Sequence, residues 1–356
     1  MEVMRCVLHI GTEKTGTTLL QDWLYANKES LSERRIGLSD NLGGHNNFFI
    51  SEYFQTNIDK WALEQNISNL AQKQRYFTGF RESLERELRV AAEKFDVFVM
   101  TSEFLHSRLR NIQNIENLKT FLFDNFEQVN VVCYFREQCS MATSLYTTDV
   151  LRECGLSLDD YLDNGVEPSE YYYDLCSVAD NWSAVFGRGN CVFRVYDRRR
   201  FIEGDIRKDF LDAAGLDVSS GAFDSSLSVV NASLSELQGI ALVTVNRMLP
   251  FFVGGTRRWN QNNIRAKQYL LSLPELRRGR IKSANPDRIS DRFAQRNRTL
   301  FDCYFEGEDI FASTRAALAE VNLRSADAVT DHDRERAAAL AAAVVREIGA
   351  GGPSLC

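Results

Sequence analysis

Apolar residues along the chain follow two alternating rhythms. Short unbroken runs, MRCVLHI (4–10), DVFVMTSE (96–103), VNVVCYF (129–135) and NCVFRVYD (190–197), read as strands buried on both faces. Between them apolar positions recur at helical spacing. TTLLQDWLYANKESL follows the first run, and FRESLERELRVAAEKF precedes the second with opposed charges three and four apart. Further helices are predicted near 113–126, after Arg136, and over YYYDLCSVADNWSAVFG. GLSDNLGGHNNFFI (37–50) reads as a turn-rich loop. Strand–helix alternation predicts an α/β fold of three layers around a central parallel sheet. Beyond about residue 230 the pattern turns mostly helical, ending in the Ala-rich RAAALAAAVVREIG. With no internal repeat or low-complexity linker, a single domain over 1–356 is expected, its α/β core in about 1–235 and a helical part in about 236–356.

Composition narrows the function classes. A formal net charge of −7, with no cationic tail, argues against a dedicated nucleic-acid partner. The stretch from Arg257 to Arg298 is locally basic and reads either as solvated helix faces or as an anion-binding rim. Eight cysteines include no CxxC pair, and four histidines are scattered, so no metal site is expected. No apolar run approaches the roughly 20 residues that span a bilayer. The first strand begins near Met4, too early for a signal peptide ahead of it. The expectation is a cytoplasmic protein with reduced thiols and no membrane span.

Candidate chemistry begins where the first strand ends, at GTEKTGTT (11–18). A glycine loop between strand and helix suits an anion, because the helix N-terminus presents unpaired N–H groups and a positive dipole end. Gly11 and Gly16 permit the tight turn, and Thr15, Thr17 and Thr18 bring hydroxyls. The spacing is that of a Walker A loop, yet Thr17 stands where that loop carries lysine, and the cation is Lys14. An ATP γ-phosphate loses its lysine in such a loop. Lys14 suits a donor with a reactive group on a 5′-phosphate, where one cation stabilises the leaving oxygen. A nucleotide kinase and a non-catalytic nucleotide-binding module are the competing readings.

Lys14-Thr15-Gly16-Thr17-Thr18 after the first strand resembles the 5′-phosphosulfate loop of the PAPS-dependent sulfotransferases. Arg136 at the end of VVCYF, with Ser144 eight residues on, resembles that family's second signature, which grips the 3′-phosphate. The wording of HIGTEKTGTTLLQ, TSE, REQCSMATSLY and YDRRRF is similar to bacterial sulfotransferases of capsule and other cell-surface carbohydrates. The resemblance covers roughly residues 5–235. It implies a P-loop-type fold and transfer of a sulfuryl group from PAPS (3′-phosphoadenosine-5′-phosphosulfate) to an acceptor hydroxyl. Adenosine 3′,5′-bisphosphate is released, no metal takes part, and the acceptor is a glycan. It also implies that Tyr196 lies against the adenine and that Asn231 and Ser233 meet its edge. Tyr196 reads equally as a plain strand aromatic, and Ser233 as a helix N-cap with Glu236. The chain departs from the cytosolic animal enzymes at Leu19, where they carry tryptophan. It also shows no late Arg-Lys-Gly motif that can be placed, and Arg257 or Arg258 is only a candidate in its stead.

Sulfuryl transfer to a hydroxyl needs a base in line with the sulfur. Glu103 closes the second predicted strand, and His45 sits in the GGHNNFF loop; either fits the role. His106 is placed to orient Glu103, and His9, inside a strand, reads as structural.

Overall fold

A computed structural model describes residues 4–216, 223, 234–254, 258–323 and 329–349. The chain forms two compact units, each assembled from three separated stretches. Met1–Arg136, Tyr171–Val230 and Gln295–Ile310 make one; Glu137–Glu170, Asn231–Ala294 and Phe311–Cys356 make the other.

The first unit is α/β. Its sheet contains β1 (Arg5–His9), β2 (Ile36–Leu38), β3 (Val97–Thr101), β4 (Gln128–Phe135) and β5 (Cys191–Val195). All pairs are parallel, in the order β2-β3-β1-β4-β5. Four strands coincide with the unbroken apolar runs. The three-residue β2 overlaps the start of the stretch read as turns, since an edge strand that short leaves no periodic signal. Val7, Val99, Val132 and Tyr134 pack with Leu20, Trp23 and Leu24 of helix α1 (Thr17–Ala26) and with Ile206 and Phe210. Residues of opposite parity, Cys6, Leu8, Phe98, Met100 and Val131, are buried too. Burial of both faces is why these strands are continuous apolar runs rather than alternating ones.

In that strand order β1 leads toward β2 on one side, while its neighbour β3 leads toward β4 on the other. Oppositely directed connections from adjacent strands mark the switch point at whose carboxyl ends open α/β sheets bind ligands. The loops after β1 and β3 therefore flank the expected binding point.

The second unit is helical. Helices Glu236–Met248, Gln261–Ser272 and Asp331–Gly349 enclose Leu237, Ala241, Val245, Leu270, Ala341 and Val344. Helix Glu236–Met248 opens with a capping box formed by Ser235 and Gln238. The cap therefore falls two residues after the Ser233–Glu236 pairing read from sequence, and Ser233 itself lies outside the described residues. No helix among the described residues is long and apolar enough to cross a membrane.

One buried cation ties two helices of this unit together. Lys267 Nζ donates to the carbonyls of Val150, Leu151 and Arg152, at 3.3, 3.2 and 2.6 Å. These carbonyls end helix Gln138–Arg152 and lack intrahelical partners. Burial pushes the ammonium down to about 8. Lys267→Met is expected to cost about 1–3 kcal/mol in urea unfolding, the usual penalty for stranding buried acceptors. From pH about 8 to the ordinary lysine value near 10.4 the unfolded chain binds more protons at this site than the folded one. Wild-type stability relative to Lys267→Met should therefore rise with pH across that window.

Candidate functional site

Pairing between β1 and β4 continues past β1 into the glycine loop. Ile10 N–H donates to Val132 O (2.9 Å), Thr12 N–H to Tyr134 O (3.0 Å), and Tyr134 N–H to Gly11 O (2.6 Å). Gly11 has φ +97°, and a Cβ there would lie 3.0 Å from Glu103 Cα. Only glycine lets the loop run this close to the residue that follows β3. Lys14 and Gly16 are also left-handed, at φ +66° and +72°. Gly16 is the N-cap of α1; no side chain caps the helix and its first turn holds no acid. The N-terminal N–H groups and dipole thus face the loop without a carboxylate from the helix's own first turn.

The loop's own hydroxyls stiffen it. Thr15 Oγ1 donates to Thr12 O (2.5 Å) and Thr12 Oγ1 to Tyr134 O (3.0 Å). The Thr15 proton, expected to face an anion, is thus engaged within the loop. Thr17 is buried and Thr18 exposed.

Arg136 and Tyr196 join this loop. Arg136 Nη1 donates to Lys14 O at 2.6 Å, and its guanidinium lies 5.4 Å from the Tyr196 ring centre. Tyr196 N–H donates to Phe135 O (2.7 Å), and a Cβ on Gly16 would stand 3.0 Å from the tyrosine ring. Gly11, Lys14, Gly16, Arg136, Tyr196 and Glu103 are therefore gathered at the carboxyl ends of β1, β3, β4 and β5. Ser144 belongs to the second unit, on helix Gln138–Arg152, where its carbonyl accepts from Thr147 Oγ1 (2.8 Å). Arg258 also belongs to that unit, while Asn231 and Arg257 lie outside the described residues.

The two candidate bases differ in place. Glu103 occupies the N-cap position of helix Phe104–Arg108 but makes no capping bond. Its Oε2 instead accepts from Gln21 Nε2 at 2.6 Å. Burial raises the Glu103 carboxyl above its ordinary value; the Gln21 bond lowers it, and the nearby Glu13 charge raises it. His45 has a 55% exposed side chain. Its Nδ1 meets Asp22 Oδ1 at 3.0 Å and its ring stacks on Tyr25 at 4.4 Å. Its contacts thus fall on the middle and far end of α1, and Glu103's on the loop and Gln21.

His106 serves the loop rather than Glu103. Its Nε2 lies 3.0 Å from Tyr172 O, an atom that can only accept, so Nε2 carries the proton. Nδ1 then accepts from Glu13 N–H at 3.5 Å, and Tyr172 OH donates to Glu13 Oε2 at 3.3 Å. Burial pushes the imidazole down to about 3 and keeps it neutral. His9, buried with Nδ1 2.8 Å from Thr101 Oγ1, is likewise pushed down to about 3 and is structural.

Gln21, Glu13 and Tyr172 also meet the gathered residues, and the sequence reading did not single them out. Gln21 carried a signal: it interrupts the buried stripe Leu20, Trp23, Leu24 with an amide only 3% exposed. A polar residue in such a stripe needs a partner. Among the described residues no three His, Cys, Asp or Glu side chains group as metal ligands.

No family model matches the chain. An uncharacterized protein of Archaeoglobus fulgidus is 29% identical over 205 residues, covering 56% of this chain and 52% of its own length. The chain thus spans about half the length of the curated relative it matches. A solved sulfotransferase from Alicyclobacillus acidocaldarius superposes with a TM-score of 0.36 at 16% identity, covering 67% of this chain and 93% of that one. At these levels of similarity, function rests on the residues gathered around the loop.

Proposed function

We propose that the chain is a sulfotransferase that takes its sulfuryl group from PAPS and passes it to an acceptor hydroxyl, with a glycan as the acceptor class, in a cytoplasmic setting. The observation that carries this reading is the position of Lys14. It sits inside a loop that opens onto an uncapped helix N-terminus, with Arg136 bound to its carbonyl. The acceptor oxygen bonds to sulfur as the bond from sulfur to the 5′-phosphate oxygen breaks. Lys14 and the loop N–H groups stabilise charge on the departing oxygen. Glu103 takes the acceptor proton, and adenosine 3′,5′-bisphosphate leaves. Arg136 is the cation for the 3′-phosphate, Tyr196 the ring beside the adenine, and Ser144 is added on motif spacing alone.

Calorimetry with adenosine 3′,5′-bisphosphate and, separately, magnesium ATP tests the donor class. The bisphosphate is expected to bind and ATP to bind at least about 10-fold more weakly, a difference of about 1.4 kcal/mol. ATP binding without bisphosphate binding would instead assign the loop to nucleoside-triphosphate chemistry. Radiolabelled transfer from PAPS onto a panel of polysaccharides tests the acceptor class.

A further inference from the structure

Gln21 lies in the second turn of α1, 3% exposed, on the side that packs into the core. Its Nε2 is 2.6 Å from Glu103 Oε2, a short bond from a buried amide to a partly exposed carboxylate. The Glu103 backbone is placed independently: Ser102 N–H beside it donates to His9 O at 2.9 Å, and a Cβ on Gly11 would stand 3.0 Å from Glu103 Cα. Both ends of the Glu103 side chain are thus held, one by the loop before α1 and the other by α1 itself. We infer that Gln21 is the positioning residue for the proposed base: it holds Oε2 and leaves Oε1 to take the acceptor's proton.

An amide suits this place better than a hydroxyl or a second acid. With Nε2 toward Glu103 it donates to the carboxylate; turned by 180° it offers Oε1 to accept from the carboxylic acid. The contact therefore survives the change of charge that a base undergoes in each turnover. A glutamate in its place adds a like charge in a buried site, and an apolar residue leaves Oε2 without its donor. This inference rests on the reading of Glu103 as base.

The test follows one atom and one rate. The Glu103 carboxyl is followed by carbon NMR through a pH titration in wild type, Gln21→Met and Gln21→Asn. Methionine keeps the volume and removes the donor; asparagine keeps the amide but withdraws it by one methylene. Both are expected to move the midpoint upward by about half a pH unit or more, because the amide binds the carboxylate more strongly than the neutral acid and that difference is lost. The acid limb of kcat should move upward by the same amount, with KM for PAPS within about twofold of wild type, as for a residue that acts on proton transfer rather than on binding. An unmoved midpoint, or a moved midpoint with an unmoved acid limb, overturns the role of Gln21. Turnover that survives Glu103→Gln overturns the base reading, and the inference with it, whatever the Gln21 variants do. If Gln21→Met fails to fold, Gln21→Asn carries the same comparison.

Discussion

Lys14→Ala is expected to lower turnover by about 10²–10³-fold, the range found when a preorganised donor at a developing oxyanion is removed. The loss should fall on kcat more than on KM. The ammonium is needed most when negative charge gathers on the 5′-phosphate oxygen, and less while the donor is merely bound. The fold should not suffer. Lys14 is half-buried, and the bond it receives from Arg136 ends on its backbone carbonyl, which alanine keeps. Its φ of +66° disfavours lysine and alanine alike, so the exchange adds no new strain. Sulfate transfer measured beside a thermal unfolding curve checks both halves. A variant with turnover within about threefold of wild type, equally folded, removes Lys14 from the chemistry.

Glu103→Gln separates catalysis from stability in opposite directions. Turnover should fall by about 10²–10⁴-fold, the usual range for a lost general base. The thermal midpoint at neutral pH should rise. Burial raises the Glu103 carboxyl, so the folded chain keeps this proton to higher pH than the unfolded chain does. Wild-type stability therefore falls as pH climbs from the ordinary carboxylate value through the raised one, and the glutamine variant lacks that fall. Activity is expected to run the other way, rising with pH through the raised value as the proposed base ionises. His45→Ala is the matched control: its ring touches Asp22 and Tyr25, and removal should change kcat by less than about threefold. A His45→Ala variant that loses turnover while Glu103→Gln keeps it would exchange the two roles.

Much of the sheet was legible because its strands are buried on both sides. β1, β3, β4 and β5 are unbroken apolar runs, and such runs alternating with amphipathic helices leave few architectures open. β2 was not legible, since Ile36–Leu38 borrows its strand character from β3 rather than from its own pattern. At the site, Lys14 and Arg136 were readable because glycine spacing and a strand end announce a cation's surroundings. The structure adds what spacing cannot express. Arg136 bonds to the Lys14 carbonyl, and Tyr196 lies against Gly16, contacts between residues far apart in the chain. His106 shows the limit most plainly. Proximity in sequence suggested Glu103 as its partner, but it points instead to Glu13 and Tyr172, 93 and 66 positions away.

Helix α1 works as a ruler. Its first N–H groups lie at Gly16 and its grip on Glu103 at Gln21, five residues later, about 7.5 Å along the axis at 1.5 Å per residue. The separation between the proposed anion cradle and the carboxylate is thereby written into a rigid rod rather than into a loop. Insertions in the surrounding loops would reshape the walls around the proposed acceptor site without changing that spacing. A single residue added to or removed from α1 between Gly16 and Gln21 would swing Gln21 by about 100° around the axis and break the measure at once.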